Sequence, residues 1–160
     1  MSEPTSAAAE QRATPSADAP DASRLWRGVG WGVLATIAMS IPMLIGTATG
    51  MSPIPEPIPK ALVTLVFGAG LPAPLLMLLA AGSHLAYGGF FGGVLARFVR
   101  PVTLGKGLGL GAVLWLVMQV VVLPLLGWGF FGAAVTLKIT VASLLLHLIY
   151  GAVLGWGLDR

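Results

Sequence analysis

Four long apolar runs, separated by short polar or proline-rich breaks, account for most of the chain after its first two dozen residues. They lie at about 28–50, 72–98, 104–126 and 133–157. A helix of about 20 apolar residues crosses the hydrocarbon core of a bilayer, so each run predicts one membrane span. Between the first two runs, Pro53, Pro55, Pro57 and Pro59 alternate. Prolines spaced this way hold the backbone extended and remove amide donors. The apolar stretch that follows, Ala61–Gly70, is too short to span, and segment 58–71 is expected to be an interfacial or re-entrant helix. Residues 1–23 carry Ala, Ser, Thr and Pro with scattered acids and no apolar period. Such a segment buries too little surface to offset its ordering entropy, so a disordered tail is expected. It does not read as a signal peptide, because the apolar run behind it is too long for that role. The expected fold is all-α: a disordered N-terminal tail, then a single membrane domain, 24–160, built as a polytopic four-helix bundle.

Composition makes lipid the solvent. Hydrophobic residues make up 56% of the chain and charged residues 9%, where a soluble domain carries about 25% charged. The net charge of +3 therefore does not indicate nucleic-acid binding, since the cations sit at the ends of apolar runs and act as topology signals. With four spans, Arg24, Arg27, Arg97, Arg100, Lys106 and Arg160 share one side. The other side holds Lys60 and Lys138, the latter about two turns inside the last span and snorkelling outward. A five-span reading that splits 61–80 from 84–99 would scatter these cations. The positive-inside rule then predicts a multi-pass protein of the cell membrane with both termini cytoplasmic. There is no cysteine, which excludes disulfides and thiolate metal sites.

The only two histidines and the only two tyrosines recur in one frame. His84-Leu85-Ala86-Tyr87-Gly88 returns as His147-Leu148-Ile149-Tyr150-Gly151, and Gly92, Leu95 and Arg97 match Gly155, Leu158 and Arg160 at the same offset of 63. More weakly, Gly28, Gly30, Gly32 and Met39 match Gly107, Gly109, Gly111 and Met118 at an offset of 79. A duplicated helix pair accounts for both series if the first copy carries the proline-rich insert, giving a parallel repeat about the membrane normal. Helices in lipid associate by close packing of small residues, and Gly88/Gly92 and Gly151/Gly155 are expected to serve that purpose. The same ladders permit a homo-oligomer.

Candidate chemistry concentrates at mid-membrane. His84 and His147 each lie near the middle of a predicted span, where ionisable residues are costly and count as functional candidates. Thr136, Thr140, Ser143, His147 and Tyr150 follow helical three-to-four spacing. Thr36, Ser40, Met43 and Thr47 form a second such stripe, and Gln119 can bond across an interface. The candidate polar centre is thus His84, Tyr87, His147, Tyr150, Ser143, Thr140, Ser40 and Gln119, with each tyrosine expected to bond the opposite motif's histidine. Three roles fit these residues. The imidazoles can lock helix register through hydrogen bonds. They can serve a pH-responsive proton or small-solute path. Or they can ligate a haem b from two sides as a bis-His electron-transfer subunit. Apart from that haem no cofactor is expected, and two histidines without carboxylates fall short of a zinc site. Enzymatic activity is not expected, because no paired carboxylate and no nucleophile–base set is present. Trp26, Trp31, Trp128 and Trp156 suit the interfacial aromatic belts. The partners expected are the lipid bilayer and a small molecule or ion of undetermined identity.

The glycine-rich first span with Ala35-Thr36 and Met39-Ser40, followed by two His-x-x-Tyr-Gly motifs, resembles small inner-membrane proteins of the YagU type over roughly residues 28–158. The resemblance implies a four-helix membrane protein loosely associated with acid resistance. It supplies no assigned activity and no functional residues to carry over.

Overall fold

A computed structural model describes residues 19–160, and every regular element in that range is helical. The elements are α1 (Ala19–Ala48), α2 (Ile58–Phe67), α3 (Ala73–Phe98), α4 (Leu104–Leu125) and α5 (Lys138–Asp159). Four of these, all except α2, are long and apolar enough to cross a membrane. The protein is thus a four-span all-α bundle, and α3 is one continuous helix, as the four-span reading requires. Of the expected tail, residues 1–18 lie outside the described range. Ala19–Ser23 belong to α1, which therefore begins well ahead of Gly28.

Each boundary has a local cause. Pro59 falls in the first turn of α2 and Pro74 in that of α3, where a missing amide breaks no helical bond. Only the stretch before Ile58 is non-helical, so the alternating prolines end inside a helix rather than in an extended strand. Thr103 caps α4, its hydroxyl accepting from the Lys106 amide at 3.3 Å. Near the end of α4, Pro124 has no amide to give to the turn before it. The helix accommodates this as a π-turn over Met118–Val122, a distortion expected beside a proline. The last span starts at Lys138 rather than at 133, because the chain between is occupied by a turn with Gly127, Gly129 and Gly132 at positive φ. Lys138 is consequently the first residue of α5 rather than a residue two turns inside it.

Packing follows the glycines. α1 crosses α3 so closely that a Cβ on Gly32 would overlap the Gly88 carbonyl, and one on Gly92 would stand 2.8 Å from Gly32 Cα. α4 crosses α5 in the same manner, with Gly107 and Gly111 against the Gly151 and His147 carbonyls. The two crossings differ in register by one turn. Gly92 faces the Gly28 carbonyl, whereas the Gly107 carbonyl is faced by Gly151, the counterpart of Gly88. By contact, then, Gly32 and not Gly28 stands in its crossing as Gly107 stands in the other, an offset of 75 that differs from the 79 of the sequence match. Opposite the glycine face, α1 presents Leu34, Ile37, Ile41, Leu44 and Ile45 outward, a lipid-facing stripe at helical spacing.

α1 also packs along α5, where the Trp31 ring lies on Gly157 and meets Trp156 edge-on at 5.9 Å. Trp31 is therefore part of an interhelical contact. The four spans form a row in the order α3, α1, α5, α4, and α3 and α4 do not pack along their length. α2 packs on α3. The starts of α1 and α4 and the ends of α3 and α5 come together at one end of the bundle, where Arg24 Nη2 donates to the Ala96 carbonyl at 3.5 Å.

Candidate functional site

The polar residues of the bundle divide into those that satisfy themselves and those that face a cavity. Helical hydroxyls bond carbonyls one turn back on their own helix: Thr36 to Gly32 (2.8 Å), Ser40 to Thr36 (2.7 Å), Thr47 to Met43 (2.9 Å) and Ser143 to Ile139 (2.6 Å). Such bonds use the hydroxyl hydrogen locally, so the two stripes are not continuous donor chains. Thr136 lies ahead of α5, and its hydroxyl accepts from the Lys138 amide at 3.4 Å.

A cavity of about 350 Å³ opens where α3 and α4 stay apart, and all five helices line it. His84 and Tyr87 reach it from α3, and Ser143, His147 and Tyr150 from α5. These five expected site residues thus share one space at the level of the two motifs. The other three do not. Ser40 faces a neighbouring groove that His84 also borders. Thr140 donates to the Phe131 carbonyl at 2.8 Å, while its own carbonyl accepts from Trp115 Nε1 at 3.0 Å. Gln119 is completely buried behind the wall, turned inward by the π-turn, and its Nε2 donates to Ser143 Oγ at 2.9 Å. Gln119 Oε1 is buried without a hydrogen-bond partner among the described residues.

The tyrosines differ from expectation and from each other. Tyr150 is 2% exposed and donates to the Gly88 carbonyl at 2.6 Å, so it bonds the opposite motif's backbone rather than its histidine. Tyr87 is 43% exposed and packs against Phe91 at 4.7 Å between ring centroids, the rings tilted by 59°. His147 Nδ1 lies 2.8 Å from the Ser143 carbonyl. A carbonyl only accepts, so Nδ1 carries the hydrogen and Nε2 is left with its lone pair.

The rest of the wall went unnoticed as a site. Met39 and Met43 from α1 and Met118 from α4 line the cavity. In the sequence Met43 appears as a member of the Thr36, Ser40, Met43 and Thr47 stripe, and Met39 and Met118 as a repeat match. Ile58, Leu62 and Val66 of α2, also four residues apart, close the space from one side. The segment 58–71 thus covers the cavity on that side through α2. Among the described residues, no Asp, Glu, Lys or Arg lines it, and no three His, Cys, Asp or Glu side chains cluster as metal ligands.

No curated protein and no solved structure matches the sequence. A family model described as a family of unknown function, DUF6789, matches residues 22–160, which takes in all four spans and the α2 cover. This chain, with its two His-x-x-Tyr-Gly motifs lining one cavity between the helices, belongs to the DUF6789 family.

Proposed function

We propose that the protein is a membrane component that binds a small solute between its spans, with His84, Tyr87 and His147 as the groups that recognise it. The observation that carries this reading is the convergence of both motifs on one covered cavity of about 350 Å³, within the size range of ligand pockets. A proton path along the hydroxyl stripes has less support, because those hydroxyls bond their own helices. A bis-His haem is the lesser reading too. The His147 tautomer suits it, but the cavity is at the small end for a macrocycle and no cation lines it to meet propionates. The reading is of a binding component rather than a catalyst. It extends to the resemblance to YagU-type proteins and to descent of the two helix pairs from one duplicated pair. The cation-rich end, with Arg24, Arg27, Arg97, Arg100, Lys106 and Arg160, would be cytoplasmic in the cell membrane.

The chain has no native cysteine, so single introduced cysteines report water access in liposomes. Leu146 faces the cavity, whereas its neighbour Leu145 is 58% exposed toward the surrounding lipid. Leu146→Cys should react with a small water-soluble thiol reagent added from one side of the membrane, and Leu145→Cys should not. Equal protection of both from either side would remove a solute site from the bundle.

A further inference from the structure

Every spanning helix contributes an uncharged nitrogen or sulfur donor to the cavity wall: Met39 and Met43 from α1, His84 from α3, Met118 from α4 and His147 from α5. They are both histidines of the chain and three of its six methionines. The donors also follow the repeat. His84 and His147 correspond at offset 63, and Met118 corresponds to Met39 at offset 79 or to Met43 at the contact-based offset of 75. Either register places a methionine opposite Met118.

The geometry points to a binding site for a soft monovalent metal ion, Cu(I) in chemical class, held by His84 and His147 with thioethers from Met43, Met118 or Met39. The inference rests on the solute-site reading and names its substrate class. Thioether and imidazole donors together favour Cu(I), while Mg²⁺, Ca²⁺ and Mn²⁺ require carboxylate or carbonyl oxygen, and closed zinc sites require more ligands. Charge points the same way. The cost of bringing an ion into a low-dielectric interior rises steeply with its charge, and no anion lines this wall to offset a divalent ion. A monovalent ion that bonds to polarisable sulfur is the cation such a wall can hold.

A second observation is independent of the donor set. His147 donates its Nδ1–H to the Ser143 carbonyl at 2.8 Å. Metal-ligating histidines are held in this way, with the far nitrogen free to bind. Ser143 is 1% exposed and is itself anchored by Gln119 and by the Ile139 carbonyl, so the imidazole hangs from a fixed support. Methionine supplies the adjustment, since its unbranched side chain can move its sulfur toward an ion without moving the backbone.

The test uses the full chain purified in detergent and titrated calorimetrically with Ag(I) in chloride-free buffer. Silver is a redox-inert probe of the same softness. Cu(I) follows anaerobically against a chromogenic chelator. Wild type should take up one Ag(I) per chain and no Zn(II). Met39→Leu/Met43→Leu/Met118→Leu conserves side-chain volume and should fold normally, yet weaken Ag(I) binding by about tenfold or more, and His84→Ala/His147→Ala by about 100-fold. Unchanged affinity in the methionine variant with an unchanged circular dichroism spectrum, or Zn(II) bound as tightly as Ag(I), overturns the soft-metal assignment. If Leu146→Cys is labelled from water while wild type takes up no silver, the solute site stands and its ligand is not a soft metal. If Leu146→Cys is also protected, the solute-site reading itself has failed.

Discussion

The closeness of the α1–α3 crossing can be tested one methyl group at a time. In Gly88→Ala the new Cβ would overlap Thr36 Oγ1, with Thr36 Cβ at 3.1 Å and the Gly32 carbonyl at 3.2 Å. In Gly92→Ala it would meet backbone instead: the Gly28 carbonyl, then Gly32 Cα at 2.8 Å and Gly32 N at 3.0 Å. Gly30 has no atom within 4 Å of such a Cβ. Forcing an extra methyl into a packed site costs about 1–3 kcal/mol, and the intrinsic preference of a helix for Ala over Gly returns at most about 1 kcal/mol. The net expectation is a loss of about 1–2 kcal/mol for Gly88→Ala. Gly92→Ala, which must part the two backbones, should lose about 3 kcal/mol. Gly30→Ala should be neutral or slightly stabilised. Removing the obstructing oxygen should rescue only the first of these. Thr36→Ala/Gly88→Ala should be more stable than the sum of its single variants by about 1 kcal/mol, while Thr36→Ala should do nothing for Gly92→Ala. Unfolding titrations in mixed dodecyl sulfate micelles, followed by far-ultraviolet circular dichroism, measure these differences. If Gly88→Ala tracks Gly30→Ala, or if the Thr36/Gly88 cycle is additive within about 0.5 kcal/mol, the backbones do not approach as described.

Three further outcomes follow from single side chains. Gln119→Leu removes a buried oxygen without a partner among the described residues, and Ser143 keeps its bond to Ile139. It should change stability by less than about 1 kcal/mol, and a loss above about 2 kcal/mol would mean that a bound water satisfies Oε1. Tyr150→Phe forfeits the bond to Gly88, a typical loss of about 0.6 kcal/mol and at most about 1.7 kcal/mol in membrane proteins. Tyr87→Phe should cost less, and the reverse ranking in the same titration would contradict the asymmetry of the two motifs. In sealed cells, an impermeant thiol reagent should label Lys60→Cys and Lys138→Cys directly, but Lys106→Cys only after permeabilisation. The opposite pattern would invert the proposed orientation.

The spans were legible because lipid imposes a simple demand, about 20 apolar residues each, and because cations collect at one end of the bundle. Where local backbone geometry decides, the sequence misleads. Ala133–Leu137 is as apolar as the helix it precedes, yet positive-φ glycines upstream hold the chain in a turn until Lys138. The pairing of the motifs was visible in two rare residue types, but the tyrosine's partner was not. Tyr150 bonds a backbone carbonyl, and every residue carries one of those. Gln119 reads as a cross-interface residue and does bond across α4–α5, but its withdrawal behind the cavity wall depends on a π-turn set by Pro124. The one-turn difference between the crossings was hidden for a related reason. Glycines two and four apart offer several nearly equivalent registers, and only the bulk of their neighbours selects among them.

The order of the spans in their row has a consequence for biosynthesis. α1 and α5, which meet at its centre, lie at opposite ends of the described chain, so Gly157 is synthesised long after its neighbour Trp31. At about 5–20 residues per second the interval is on the order of 10 s. Throughout that time the Trp31 face of α1 must be solvated by lipid or held by the insertion machinery. The α1–α3 pair can close during translation, but the midline of the protein cannot form until α5 has entered the membrane. Ribosome stalling or a nonsense mutation ahead of α5 should therefore leave the first half correctly paired yet laterally unsealed, a species that membrane quality control would recognise by its exposed tryptophan.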